Sequence, residues 1–225
     1  MAIRDESDMF LTFIRGQAAN LVTNHTLPES KQEWSLKRTE IRKKLVNSLG
    51  GFPDNKCDLA PDLVGELEFE GYTIEKVIIQ TIPGVQLTAN VYRPDGEGPF
   101  PAVLCVHGHW KGAKQDPTVQ SRCIGLVKLG FVAMAVDAFG AGERGIEQAL
   151  GEYHGEMTAA TLYATGRNLA GIQVYENIRC ADYLQSRTDV DGEKLAITGT
   201  SGGGNQTMYA GALEERFKAV IPVCS

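Results

Sequence analysis

The spacing of apolar residues changes character twice along the chain. Ser30-Lys-Gln-Glu33 has the form of a capping box, and Trp34, Ile41, Leu45 and Leu49 follow at near-helical spacing. Gly50, Gly51 and Pro53 stop that helix. The first sixty residues thus read as helical and peripheral, with the apolar stripe docked on the chain's own core. From residue 64 the period shortens to two. Residues 64–70, 72–81 and 85–92 alternate apolar and polar side chains, and Pro83-Gly84 provides a tight turn between the last two. An antiparallel opening to a sheet is expected there. Beyond it the strands become continuous apolar runs at 102–106, 131–136, 195–198 and 219–223, as suits strands buried on both faces of a parallel sheet. Helical patterns at 119–129, 168–185 and 205–213 separate them. The expected fold class is α/β: a mostly parallel sheet with an antiparallel N-terminal hairpin and helices on both faces. The expected division is a helical extension over residues 1–60, packed on an α/β domain over 61–225. Residues 138–166, rich in glycine and polar groups, are expected to form a long insertion over the strand ends.

Composition narrows the functional classes. The chain has 225 residues, 43 % of them hydrophobic and 22 % charged, enough for one large domain with a buried core. A net charge of −6 argues against nucleic acid or an anionic membrane surface as the main partner. No apolar run reaches the roughly 18 residues needed to span a bilayer. The first residues, Met-Ala-Ile-Arg-Asp-Glu-Ser-Asp, carry acids where a secretory signal carries a basic start and an apolar stretch, so a cytoplasmic location is expected. The five cysteines, Cys57, Cys105, Cys123, Cys180 and Cys224, include no C-x-x-C pair. They are expected to be small buried hydrophobes rather than a disulfide framework or a zinc site. In the balance of Lys37, Arg38, Arg42, Lys43 and Lys44 against Glu33 and Glu40, the helix after the capping box shows a solvated face.

The candidate chemistry lies at the ends of the apolar strands, where open α/β sheets gather their sites. Leu195-Ala-Ile-Thr-Gly-Thr-Ser-Gly-Gly-Gly204 is a short strand running into G-x-S-x-G and then a helix. A serine on such a turn is thrust out at the top of the sheet, and the residues two before and two after it must be small. Gly199 and Gly203 occupy those positions, which makes Ser201 the candidate nucleophile. A phosphate-binding loop would want G-x-x-x-x-G-K-[ST], and the lysine is missing. After the strand at 102–106 comes His107-Gly-His-Trp110. A tight turn there presents an amide of His109 or Trp110 beside the nucleophile, where with the N–H of Gly202 it would form an oxyanion hole. The alternative for the His107/His109 pair is metal binding with a further ligand such as Asp137. The oxyanion role is preferred, with no metal or organic cofactor expected. Asp137 and Arg144, after the strand at 131–136, are expected to hold their loop by hydrogen bonds. A serine nucleophile also needs a base and an acid. His25, His107, His109 and His154 all precede Ser201, and only Glu214 and Glu215 follow it as acids, at the far end of a helix. His107 reads as a turn residue. His154 could reach the site from the long loop, although a polar loop role suits it better.

Taken together, HGHW, DAFGAGER, GRNLAGIQVYENIRCADYLQSRTDVD and LAITGTSGGGNQTMYAGALEERFKAVIPVCS resemble the α/β-hydrolase superfamily over residues 64–225. The branch they resemble is that of acetyl xylan esterases and dienelactone-hydrolase-like proteins. The resemblance implies a serine carboxylic-ester hydrolase acting on a small ester, such as an acetylated sugar, through an acyl-enzyme on Ser201. It makes Gly202 and His109 the oxyanion donors. It also implies a triad acid and histidine from loops after later strands, so that the chain is expected to be the N-terminal part of a longer hydrolase, lacking the C-terminal strands. Peptidase activity and a non-catalytic hydrolase-like binding or regulatory protein are the alternatives. Neither the acyl group of the substrate nor the oligomeric state follows from these residues.

Overall fold

The computed structural model describes residues 6–23, 26–145 and 156–225. They fall into two compact units, one running to Lys43 and one from Lys44 to Ser225.

The first unit holds helix α1 (Glu6–Thr23) and most of helix α2 (Lys31–Ser48). The capping box forms in a shifted version. Ser30 Oγ accepts from the Glu33 N–H at 3.1 Å, and Glu33 Oε2 accepts from the Glu29 N–H, one residue before the cap, at 2.9 Å. The Lys37 ammonium donates to the Thr26 carbonyl oxygen and closes the loop that precedes the helix.

The second unit is built on a seven-stranded sheet: β1 (Asp62–Phe69), β2 (Tyr72–Ile82), β3 (Val85–Pro94), β4 (Phe100–Val106), β5 (Val132–Val136), β6 (Val190–Thr200) and β7 (Phe217–Val223), in the order β1-β2-β3-β5-β4-β6-β7. The pairs β1–β2, β2–β3 and β3–β5 are antiparallel. The pairs β5–β4, β4–β6 and β6–β7 are parallel. Alternating sequences therefore made the antiparallel part and continuous apolar runs the parallel part, as expected, although the run at 219–223 lies in β7, an exposed strand at the border of the described sheet rather than one buried on both faces. Every residue of β5 and the last five of β4 are buried, so neither strand has a solvent face to alternate with. Strand β6 starts five residues before the apolar run at 195–198. Its first residues, Val-Asp-Gly-Glu-Lys, look like a turn but continue the strand, with a register irregularity where Phe100 and then Ala102 face Val190 and Leu195.

Helices α3 (Pro117–Lys128), α4 (Glu156–Ala164), α5 (Leu169–Ser186) and α6 (Gly202–Leu213) complete the unit. Helix α3 starts at a capping aspartate, whose side chain accepts from the Thr118 N–H, and has proline in its first turn. It packs Val119, Cys123 and Val127 on one face of the sheet. Helix α5 takes Asn168 as its N-cap and packs Val174, Ile178, Ala181 and Leu184 into the larger core cluster, together with Leu49, Leu104, Met134 and Ile197. Leu45 and Val46 pack against that cluster too. The expected insertion over 138–166 is not loop throughout: residues 142–144 form a 3₁₀ turn and residues 156–164 are helix α4. Of the cysteines, Cys105, Cys123 and Cys180 are buried as expected, Cys57 is half-buried, and Cys224 is exposed, like the β7 residues just before it.

Candidate active site

Strand β6 ends at Thr200 and helix α6 begins at Gly202, so Ser201 alone makes the turn between them. Its backbone sits at φ 59° and ψ −122°, a conformation that side-chain-bearing residues rarely adopt. Three glycines make the turn possible. A Cβ on Gly199 would lie 2.6 Å from the Gly203 carbonyl oxygen. One on Gly203 would lie 2.7 Å from the Val106 carbonyl oxygen, and one on Gly204 2.5 Å from that of Val223. The ends of β4, β6 and β7 thus close on the first turn of α6 more tightly than any methyl group permits. The Ser201 N–H donates to the Val223 carbonyl oxygen at 2.9 Å, and the Asn205 N–H returns to the Ser201 carbonyl at 3.0 Å. The serine side chain itself is exposed.

The turn after β4 approaches from the other side. A Cβ on Gly108 would stand 2.7 Å from the Thr200 carbonyl oxygen and 3.2 Å from Ser201 Cβ, so only glycine lets this turn lie against the serine. His109 and Gly202 line one cavity of about 430 Å³, which extends between α4, α5 and α6 along Tyr163, Gln173, Asn205, Gln206 and Tyr209. Ser201, Gly202 and His109 are therefore brought together. As the first residue of α6, Gly202 carries one of the leading N–H groups that have no acceptor within their own helix. Such groups, at the positive end of the helix dipole, favour negative charge.

His107 is fully buried and serves the turn. Its Nε2 accepts from the Ala138 N–H at 3.1 Å, which leaves Nδ1 protonated and donating to the Gly108 carbonyl oxygen at 2.7 Å. Burial pushes its pKa below the usual imidazole range, keeping the ring neutral. With both ring nitrogens engaged by backbone, His107 offers no lone pair to a metal, and no group of three metal-ligating side chains occurs among the described residues. Asp137 is likewise committed. Its carboxylate accepts from Thr88 Oγ1 at 2.8 Å, from the Lys114 and Glu143 N–H groups at 3.2 and 3.3 Å, and from the Lys114 ammonium. Arg144 donates to the Asp137 carbonyl oxygen at 3.1 Å, so both residues hold the loop as expected from the sequence. Glu214 caps the end of α6 opposite the Ser201 turn, or elbow, and is paired with Arg216. His25 and His154 lie outside the described residues.

Three features of the site were not read from the sequence. Lys114 is buried against Asp137, Glu176 is buried against Arg144, and Gln173, Asn177 and Gln206 form a buried amide group between α5 and α6, with Asn177 donating to Gln206 at 3.1 Å. A signal for part of this exists. Gln173, Glu176 and Asn177 recur at helical spacing within a helix otherwise built for burial.

The chain is similar to known proteins in sequence and in fold. The chain is 29 % identical over 201 residues to "Putative hydrolase YtaP" of Bacillus subtilis (strain 168), a match covering 84 % of the chain and 64 % of that protein. The solved structure of methylesterase BT1017 is 29 % identical, with a TM-score of 0.73 over 91 % of this chain and 44 % of that one. Acetyl xylan esterase 1 from Thermoanaerobacterium sp. JW/SL YS485 shares the fold at 18 % identity, with a TM-score of 0.59 over 81 % of this chain and 57 % of that one. The chain thus spans less than two thirds of the length of each of these proteins. An abhydrolase-family model matches residues 18–222, nearly the whole chain, and takes in the elbow, the glycine cradle and the His107–His109 turn. The chain belongs to the abhydrolase family.

Proposed function

We propose that the protein is a serine carboxylic-ester hydrolase in which Ser201 is the nucleophile. The observation that carries this reading is the strained Ser201 backbone, held by glycines whose replacement the surrounding carbonyl groups forbid. Strain of this kind persists only where the surrounding structure enforces it, and it clusters at reactive positions. Ser201 Oγ attacks the ester carbonyl while a base takes its proton. The oxygen that becomes negative is met by the N–H groups of Gly202 and His109. Collapse of the tetrahedral intermediate expels the alcohol and leaves an acyl-enzyme, which water hydrolyses to the free acid. His107 is not the base, because its one unprotonated nitrogen already accepts from Ala138.

The cavity beside the oxyanion donors supports a substrate class. Its described lining carries neutral amides, two tyrosines and aliphatic groups, with no Asp, Glu, Lys or Arg. Amides and aromatic faces suit a neutral, hydroxyl-rich group such as a sugar ring. A small ester of a carbohydrate, acetyl or methyl, fits this lining, and the likeness to a methylesterase and to an acetyl xylan esterase supports it.

The test is the intact mass of the native-length protein after exposure to a fluorophosphonate, beside Ser201→Ala, with hydrolysis of an acetylated and a methyl-esterified sugar measured in parallel. One label per chain and sugar-ester turnover, both abolished in the variant, are expected. Turnover that survives in Ser201→Ala would remove the reading.

A further inference from the structure

The chemical steps above make no use of four buried charges beside the site. Lys114, Asp137 and Glu176 are 2, 1 and 1 % exposed, and the Arg144 side chain 7 %. They form two ion pairs, Lys114–Asp137 and Arg144–Glu176. Burying ion pairs is a weak route to stability, since apolar side chains of similar volume often do as well or better. Their placement offers another reason for them.

The turn that carries the His109 amide is anchored at both ends, and both anchors belong to the two residues that follow β5. At its start, His107 Nε2 accepts from the Ala138 N–H at 3.1 Å. At its far end, the Lys114 N–H donates to Asp137 Oδ1 at 3.2 Å and the Lys114 ammonium pairs with Oδ2. The Asp137–Ala138 stretch is clamped in turn. Thr88 on β3 donates to Asp137 Oδ2 at 2.8 Å. Arg144 donates to the Asp137 carbonyl oxygen at 3.1 Å and grips Glu176 on α5 with two bonds, at 2.8 and 2.6 Å. Glu176 receives a further bond from Thr81 on β2 at 3.0 Å. Gln173, one turn earlier on α5, donates to the Phe139 carbonyl oxygen at 3.1 Å. The turn that carries the exposed His109 is thereby fixed from β2, β3 and α5.

We propose that Arg144 and Glu176, acting through Asp137 and Lys114, are positioning residues for the oxyanion contact made by the His109 amide. The proposal rests on the hydrolase reading above. An oxyanion donor works because it is already aimed at the place where charge develops, and a displacement of about 1 Å costs on the order of a hundredfold in rate. The bidentate Arg144–Glu176 fork is suited to such a task because it fixes direction as well as distance. The contact strengthens only in the transition state, so loosening it lowers kcat and leaves KM nearly unchanged.

The test uses the native-length enzyme with Glu176→Gln and Arg144→Lys. Both substitutions keep size while breaking the fork. Three quantities are read: kcat per active site titrated with fluorophosphonate, KM, and the inhibition constant of a trifluoromethyl ketone that mimics the tetrahedral intermediate. Titrating the sites removes any loss caused by unfolded protein. The expected result is a fall in kcat per site of about 10- to 100-fold, a matching loss of affinity for the ketone, and KM within threefold of wild type. A lowered Tm with kcat per site within twofold of wild type would overturn the proposal and leave the pairs a structural role. If neither variant folds, Thr81→Val removes a single bond to Glu176, and a kcat fall of two- to fivefold at unchanged KM is expected; an unchanged kcat would again overturn it. A wild-type enzyme that neither turns over nor takes the label would overturn the hydrolase reading itself, and the proposal with it.

Discussion

At Ser201 the chain holds a non-glycine residue in a backbone conformation costing about 1–3 kcal/mol. The cost is set by Cβ, not by the hydroxyl, so Ser201→Ala retains it and Ser201→Gly releases it. Ser201→Gly is therefore expected to melt about 2–4 °C above Ser201→Ala, less whatever glycine's larger unfolded-state entropy takes back. A Ser201→Gly variant that melts below Ser201→Ala in a thermal scan would mean that the turn stores no strain. This residue was legible in the sequence because the strain demands glycine at fixed offsets, and Gly199 and Gly203 stand there. His107 was legible only in outline. A histidine before a glycine turn can be ligand, base or brace, and the Ala138 N–H that decides between them comes from 31 positions away.

Among the elements, strands read more clearly than the polar contacts between helices. A continuous apolar run has one comfortable place, the middle of a covered sheet, and β4 and β5 went there. Helix α4 was hidden in a polar, glycine-containing stretch whose composition suggests loop. The polar face of α5 was hidden for a different reason: Glu176 is tolerable in a core only because Arg144, 32 positions earlier, meets it. The start of α5 also makes a seam that its sequence does not announce. A Cβ on Gly171 would lie 1.8 Å from the Leu49 carbonyl oxygen, and the Asn168 side chain donates to the Ser48 carbonyl oxygen at 2.8 Å. The end of α2 thus rests directly on the backbone of α5. Gly171→Ala should push that end away and cost at least the 1–3 kcal/mol typical of an overpacked core, about 2–4 °C in Tm per kcal/mol. An unshifted denaturation midpoint in urea would show that the seam gives way freely.

Over the second unit as a whole, charge governs the response to acid. Two clusters tie distant parts together: Arg187 with Glu75 and Asp189, and Arg216 with Asp182 and Glu214. Burial works to raise the three carboxyls Asp182, Asp189 and Glu214. Hydrogen bonds from Lys56 and Arg216, from Arg187, and from Arg216 respectively outweigh it, and each ends below its ordinary value. Their stabilisation is therefore present above the ordinary carboxylate range, near pH 4, and is lost as pH falls through the lowered native values. His107 acts in a higher window. Its native pKa is depressed, so below about pH 6.5 the unfolded chain takes up a proton that the folded chain refuses, and stability drops as pH falls. Tm measured from pH 7.5 to 3 should fall in two stages, a shallow one from about pH 6.5 and a steeper one below about pH 4. Replacing His107 with Gln should remove the first stage, and a first stage that persists in that variant would assign it elsewhere.

The bond from the Ser201 N–H to the Val223 carbonyl oxygen has a bearing on the order in which the molecule takes shape. Strand β7 borders the described sheet, and its last residue supplies both that acceptor and the carbonyl against which Gly204 is pressed. The turn at Ser201 cannot be forced into its high-energy shape until β7 has paired with β6, so it forms late, after the frame around it. In a kinetic experiment, substitutions at Ser201 should leave the refolding rate unchanged and alter only the rate of unfolding.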